Sequence, residues 1–171
     1  MAADVILMQS EITIRQLHTG EVSHAAAVIR LSFRTVADAF GLTQQNCPTN
    51  GAFLTDDDLL AQMEAGTRLL GIHAHDKLVG VVGIRVANHR EYYMEKLAVL
   101  PEYRHLGYGA QLVGFACEQI RQCGVRTVAI GIIDENTVLK GWYEQQGFIV
   151  TGIERFPQLP FTVCFMKKEL A

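Results

Sequence analysis

The chain has 171 residues, 49% of them apolar and 19% charged, with a formal net charge of −3 and a mean hydropathy of +0.15. These values suit one globular domain over residues 1–171 with a core of its own, and they give no basic footprint for nucleic acid. No run approaches a membrane-spanning length, and the opening MAADVILMQSEITIR has no basic stretch followed by a long apolar one, so the expectation is a cytoplasmic protein without membrane span or signal peptide.

EITIRQL (11–17) alternates like a half-buried strand. From Val22 to Phe40 apolar residues recur at three and four, which reads as a helix. GLTQQNCPTNGAF (41–53) is rich in Gly, Asn, Thr and Pro, a long loop of the kind that is functional or mobile. Thr55 with Asp58 forms a capping box and opens a second helix to about Glu64; its acids Asp56, Asp57 and Asp58 suit a helix's first turn or the attraction of a cation. The period then changes. Residues 67–74 and 77–88 read as strands joined by a tight turn at His75-Asp76, and 92–100 as a more apolar third strand stopped by Pro101. Helical spacing returns from Gly107 to about Cys123, with Leu112, Val113, Ala116, Cys117 and Ile120 on one face and Gly124 placed to end it. VRTVAIGII (125–133) is a buried strand, NTVLKGWYEQQ a helix ended at Gly147, and FIVTGIERF and FTVCFMKKEL are closing strands. The strand–helix–strand run over 92–133 demands a right-handed crossover and parallel pairing, whereas the hairpin demands antiparallel pairing, so the fold class is α/β with a mixed sheet.

The four cysteines, Cys47, Cys117, Cys123 and Cys164, lack metal-ligand spacing and read as packed thiols. His73 and His75 would share one strand face, but no third ligand stands at a telling spacing, and no metal is expected.

PEYRHLGYGAQL (101–112) turns from a buried strand into a helix, where unpaired amides and the helix dipole favour an anion. Gly107 and Gly109 remove Cβ atoms that would hold a phosphate away, and Arg104 adds charge. No Lys-Ser/Thr follows the last glycine, which excludes the Walker loop, and Leu112 replaces the third glycine of the dinucleotide fingerprint.

Arg104-His105-Leu106-Gly107-Tyr108-Gly109, after an apolar strand and Pro101, resembles motif A (R/Q-x-x-G-x-G/A) of the GNAT superfamily of acetyl-CoA-dependent N-acetyltransferases. Asn136, Tyr143, Gly147 and Phe148 resemble its motif B, in the expected order and spacing. Leu139 stands where the family often has Ala, and Gly141 interrupts the helix. The resemblance covers nearly the whole chain and implies the GNAT fold, a mixed but mostly antiparallel sheet of six or seven strands with about four helices.

It further implies that the pyrophosphate of acetyl-CoA lies on the backbone amides of Arg104, His105, Leu106, Gly107, Tyr108, Gly109 and Ala110. The pantetheine would run along Leu97, Ala98 and Val99, pairing with the main chain at Leu97 and Val99 as an added strand does. Relatives often splay this strand from the next with a bulge. By analogy Tyr143 is the general acid beside the sulfur, although a tyrosine on an amphipathic helix also suits a core. Glu95 is the candidate base, its pKa raised by burial, or else a surface glutamate paired with Lys or Arg. Asn136 either caps its helix or touches the cofactor. The implied activity is acetyl transfer to a primary amine of a small molecule or peptide in a ternary complex; a non-catalytic acyl-CoA sensor is the alternative. The acceptor pocket would be lined by the first two helices, loop 41–53 and the last strands. A homodimer is common among relatives, and no nucleic acid or membrane partner is expected.

Overall fold

The computed structural model describes residues 11–171; most of the opening stretch, and with it the reading on a signal peptide, lies outside the described residues. Among the described residues the elements are β1 (Ile12–Gln16), α1 (Val22–Phe40), α2 (Asp56–Glu64), β2 (Arg68–Ala74), β3 (Lys77–Asn88), β4 (Glu91–Val99), α3 (Tyr108–Gln122), β5 (Thr127–Ile133), α4 (Thr137–Gln145), β6 (Ile149–Arg155) and β7 (Thr162–Glu169). Short 3-10 turns stand at Thr19–Glu21, Gly51–Phe53 and Pro101–Tyr103. The order is the one the periodicity predicts. The strands form one sheet, β1-β2-β3-β4-β5-β7-β6, antiparallel throughout except for the β4–β5 pair.

Local chemistry explains most boundaries. Thr55 Oγ1 accepts from the Asp58 amide while the Asp58 carboxylate accepts from the Thr55 amide, the capping box read from the sequence. Gly41, Gly124 and Gly147 close helices with φ of 63°, 78° and 92°. The β2–β3 hairpin turns through His75 and Asp76, both at positive φ (49° and 65°). His75 therefore sits in the turn and does not share a strand face with His73. Among the described residues no group of three or more His, Cys, Asp or Glu could hold a metal ion, and no helix is long and apolar enough to cross a membrane.

Six consecutive residues of β3, Val79 to Ile84, are buried, which requires cover on both faces of the sheet. Helices α1 and α3 supply it, each packing over β3 and β4. A Cβ at Gly80 would meet Leu112 of α3 at 3.0 Å, so between Gly80 and Ile84 the even-numbered residues face α3 and the odd-numbered ones face the α1 side. The main core fills both layers, from Ala25 and Ile29 of α1 through Leu69, Val81 and Ile84 to Leu112 and Ile120 of α3.

Loop 41–53 is pinned at both ends. Asn46 hydrogen-bonds Gly41 O and the Thr43 amide, Asn50 caps the 3-10 turn, and Cys47 and Ala52 are buried in a smaller cluster with Phe33, Phe53, Leu159 and Phe161. That cluster joins the loop to the β6–β7 connection. Gly51 is needed there, because a Cβ would fall 2.7 Å from the Phe33 ring.

Candidate functional site

The site begins with a broken seam in the sheet. β4 and β5 pair only at Glu91–Thr127, Tyr92–Val128 and Tyr93–Ala129; beyond these, Met94–Val99 and Ile130–Ile133 diverge. A bulge in β4 accompanies the divergence. Gly83 opposes Glu95 and Val81 opposes Ala98, so β4 carries one residue more than β3 over this stretch, and Lys96 takes a φ of 55°. Positive φ in a residue with a long side chain costs about 1–3 kcal/mol, so the surrounding sheet must hold it in place.

Beyond the bulge the strand alternates regularly. The Leu100 amide donates to Val79 O, on the β3 side, so the N–H groups of Val99 and Leu97 turn to the edge that β5 has left. Val99 O on that edge accepts from Arg104 Nε at 3.2 Å. The resemblance named Leu97 and Val99 for main-chain pairing, and the register leaves their amides available for it.

The chain then enters α3 through Pro101–Tyr103, with Gly107 at the N-cap (φ 84°) and His105 at φ 62°. The Gln111 amide bonds Gly107 O and the Arg104 amide bonds Pro101 O. Between them, six successive amides, His105 through Ala110, meet no acceptor among the described residues. A backbone curl of free N–H groups at a helix N-terminus can receive an anion. A Cβ at Gly107 would meet nothing within 4 Å, so this glycine serves the φ; at Gly109 it would meet Trp142 Cζ2 at 3.3 Å and Val99 Cγ2 at 3.9 Å. Gly109 therefore lets α4 close on α3 beside the open edge of β4. Leu106, 58% exposed, stands on the outside of the curl.

The Arg104 side chain does something other than the sequence suggests. Its guanidinium donates to Val99 O, to Ser32 O (2.9 Å) and to Thr35 Oγ1 (3.0 Å), tying α1 to the end of β4. Spacing alone could not show this, because both carbonyl partners come from other segments of the chain.

Tyr143 is 5% exposed, packed edge-on against Trp142 (5.0 Å) and Phe148 (5.4 Å). Its hydroxyl makes no hydrogen bond among the described residues, yet it is not one of the sealed unpartnered atoms there, which are Gln62 Oε1 and His73 Nδ1. Burial pushes its pKa well above the ordinary phenol value. Asn136 Oδ1 accepts from the Leu139 amide at 3.2 Å, the cap of the two readings, and Leu139 and Gly141 are accommodated in the helix.

Glu95 lies on the face away from α3, opposite Gly83. It pairs with Lys96 Nζ at 2.9 Å and Arg85 Nε at 3.2 Å. Burial pulls its pKa upward, but the two cations pull harder in the other direction, and the carboxyl is held below its usual range. The expectation of a raised pKa is thus corrected: the bulge, invisible in the sequence, brings Lys96 onto the same face as Glu95. A cleft of about 520 Å³ opens on these residues, walled also by Gln62 and Thr67.

The same arrangement of elements occurs in known proteins. The ribosomal-protein-S18-alanine N-acetyltransferase of Escherichia coli superposes with a TM-score of 0.75 at 17% identity, over 94% of this chain and 95% of that one. The PaiA N-acetyltransferase of Thermoplasma acidophilum, whose structure contains coenzyme A, gives 0.75 at 19% identity over 93% and 99%. An amino-acid acetyltransferase of Pseudomonas putida is 38% identical over 61 residues, 36% of this chain; the match spans only 13% of that longer relative. The model of the acetyltransferase (GNAT) family matches residues 39–148, the stretch that holds the splay, the amide curl and Tyr143. The chain belongs to the GNAT family of acetyltransferases.

Proposed function

We propose that the protein transfers the acetyl group of acetyl-CoA to a primary amine, with both substrates bound together and the amine attacking the thioester carbonyl directly. What supports this reading is an unpaired strand edge that runs into six free amides, together with a tyrosine hydroxyl on the following helix that makes no hydrogen bond among the described residues. The amides of residues 105–110 would hold the pyrophosphate, supplied by backbone alone, with the Arg104 amide outside the set because it bonds Pro101. Leu97 and Val99 would donate to the pantetheine amides along the edge, with Ala98 turned to β3. Asn136 would act through the helix it caps rather than by touching the cosubstrate.

In the transfer, the C–N bond forms as the C–S bond breaks, the amine loses a proton and the departing sulfur needs one. Tyr143 stays protonated at any working pH because burial raises its pKa, and it can donate a hydrogen bond to the sulfur as charge develops there. Glu95 is a permanent anion rather than a tuned base. It accepts a hydrogen bond from the incoming amine, or from the water that carries its proton away. The Tyr143 hydroxyl, which the fold itself leaves without a use, favours catalysis over mere acyl-CoA sensing.

Purified protein with acetyl-CoA and a panel of amines, read by free thiol, tests the proposal. Amine-dependent thiol release is expected. Tight acetyl-CoA binding with no release for any amine would refute it and leave the sensor reading.

A further inference from the structure

We infer that the cleft beside the β4 bulge takes an acceptor that carries a carboxylate next to its amine, as a free α-amino acid does, with Arg85 and Lys96 as the specificity-determining cations. The inference rests on the acyl-transfer reading above.

The cleft has an uneven charge. Arg85 and Lys96 face one acid, Glu95, so the wall keeps one positive charge in surplus. Arg85 meets Glu95 through Nε alone, and its two terminal nitrogens make no hydrogen bond among the described residues. The guanidinium is held 4.5 Å above the Tyr93 ring, which fixes its plane while leaving that fork open. A planar fork of free N–H groups matches a carboxylate in both geometry and charge. Lys96 gives one of its three donors to Glu95 and lines the cleft beside it. The positive φ at Lys96 gives this an added meaning: the bulge places an anion and a cation side by side on one face, next to the slot.

A zwitterion fits this wall, its ammonium toward Glu95 and its carboxylate toward the Arg85 fork. A polypeptide N-terminus offers only a neutral amide carbonyl at the second position and leaves the surplus charge unanswered. The second groove on this face, about 260 Å³ over β5, has no such surplus, because its Lys167 is paired with Glu91 at 2.6 Å.

The test uses each of the twenty L-amino acids with its own carboxamide, which keeps the amine and side chain but removes the anion. For the best acceptor, kcat/KM for the acid should exceed that for the amide by about tenfold or more, the change associated with one charged contact. In Arg85→Gln and Lys96→Met the ratio of acid to amide should collapse toward one, with Arg85→Lys keeping part of it. A fold disturbance would lower both substrates together and leave the ratio unmoved. Equal rates for acid and amide, or a ratio unchanged in both variants, would overturn the inference while leaving acyl transfer standing. No thiol release with any amine would instead remove the reading on which it rests.

Discussion

Replacing Arg104 by glutamine separates two accounts of the best-known position in motif A. If its charge grips phosphate, the loss falls on cosubstrate affinity; if it ties α1 to β4, the loss falls on stability. The structure assigns it three donors, to Val99 O, Ser32 O and Thr35 Oγ1, all within 3.2 Å. Each such bond contributes about 0.5–1.5 kcal/mol net in a partly exposed setting. If the shorter glutamine recovers one of them, two acceptors are left to find water. The expected destabilisation is about 1–3 kcal/mol, which for a chain of this size is about 2–10 °C in Tm. Urea unfolding followed by circular dichroism gives the first quantity, and calorimetric titration of coenzyme A into folded protein gives the second. Affinity should change by less than about threefold, since the amides of 105–110 remain. An unchanged unfolding midpoint together with a tenfold or greater loss of affinity would refute the tether and restore the phosphate contact.

Tyr143→Phe should lower kcat by about 10²-fold or more, as expected for a lost donor, while stability at neutral pH stays level because no hydrogen bond disappears. Because the Tyr143 pKa is raised, the wild-type fold loses stability as pH climbs above the ordinary phenol value of about 10; the phenylalanine variant should lose less in an alkaline unfolding series. Glu95 has the opposite sign. Its lowered pKa gives stability that is present above the ordinary glutamate value of about 4.3 and lost as pH falls below it, so Glu95→Gln should flatten the acid limb of an unfolding series, and kcat/KM of the wild type should show no inflection from this group near neutrality. Gly51→Ala forces the Phe33 ring to move, and a cost of about 1–3 kcal/mol is expected, with protease sensitivity appearing first in the loop 41–53.

Periodicity and end signals carried the element order because each depends on residues close in sequence. The capping box at Thr55 and the glycines at 124 and 147 are local devices, and they work in the fold as they read in the chain. The amide curl at 105–110 was equally legible, since two glycines and a strand-to-helix change suffice to form it. What stayed hidden depends on partners far apart. For Glu95 the sequence left a buried base and a Lys- or Arg-paired surface glutamate both open, because nothing in YYMEKLAV announces the bulge that brings Lys96 to its face, or that Arg85, ten residues back, meets it across the hairpin. The tether made by Arg104 was hidden because Ser32 and Thr35 lie about seventy residues away. The anchoring of loop 41–53 was hidden because its partners, Phe33 and Phe161, belong to a helix and to the far end of the chain.

The three residue pairs that join β4 to β5 also divide the sheet into four strands on one side and three on the other. Few rungs at the midline make this the place where the two halves can breathe against each other. A ligand laid along the vacant edge would act as a temporary eighth strand, replacing the missing rungs with its own amides. The protein would then carry part of its rigidity in its substrate. Amide hydrogen exchange at Leu97, Val99 and 130–133 should slow on coenzyme A binding, while β1 and β6, at the outer edges, exchange as before.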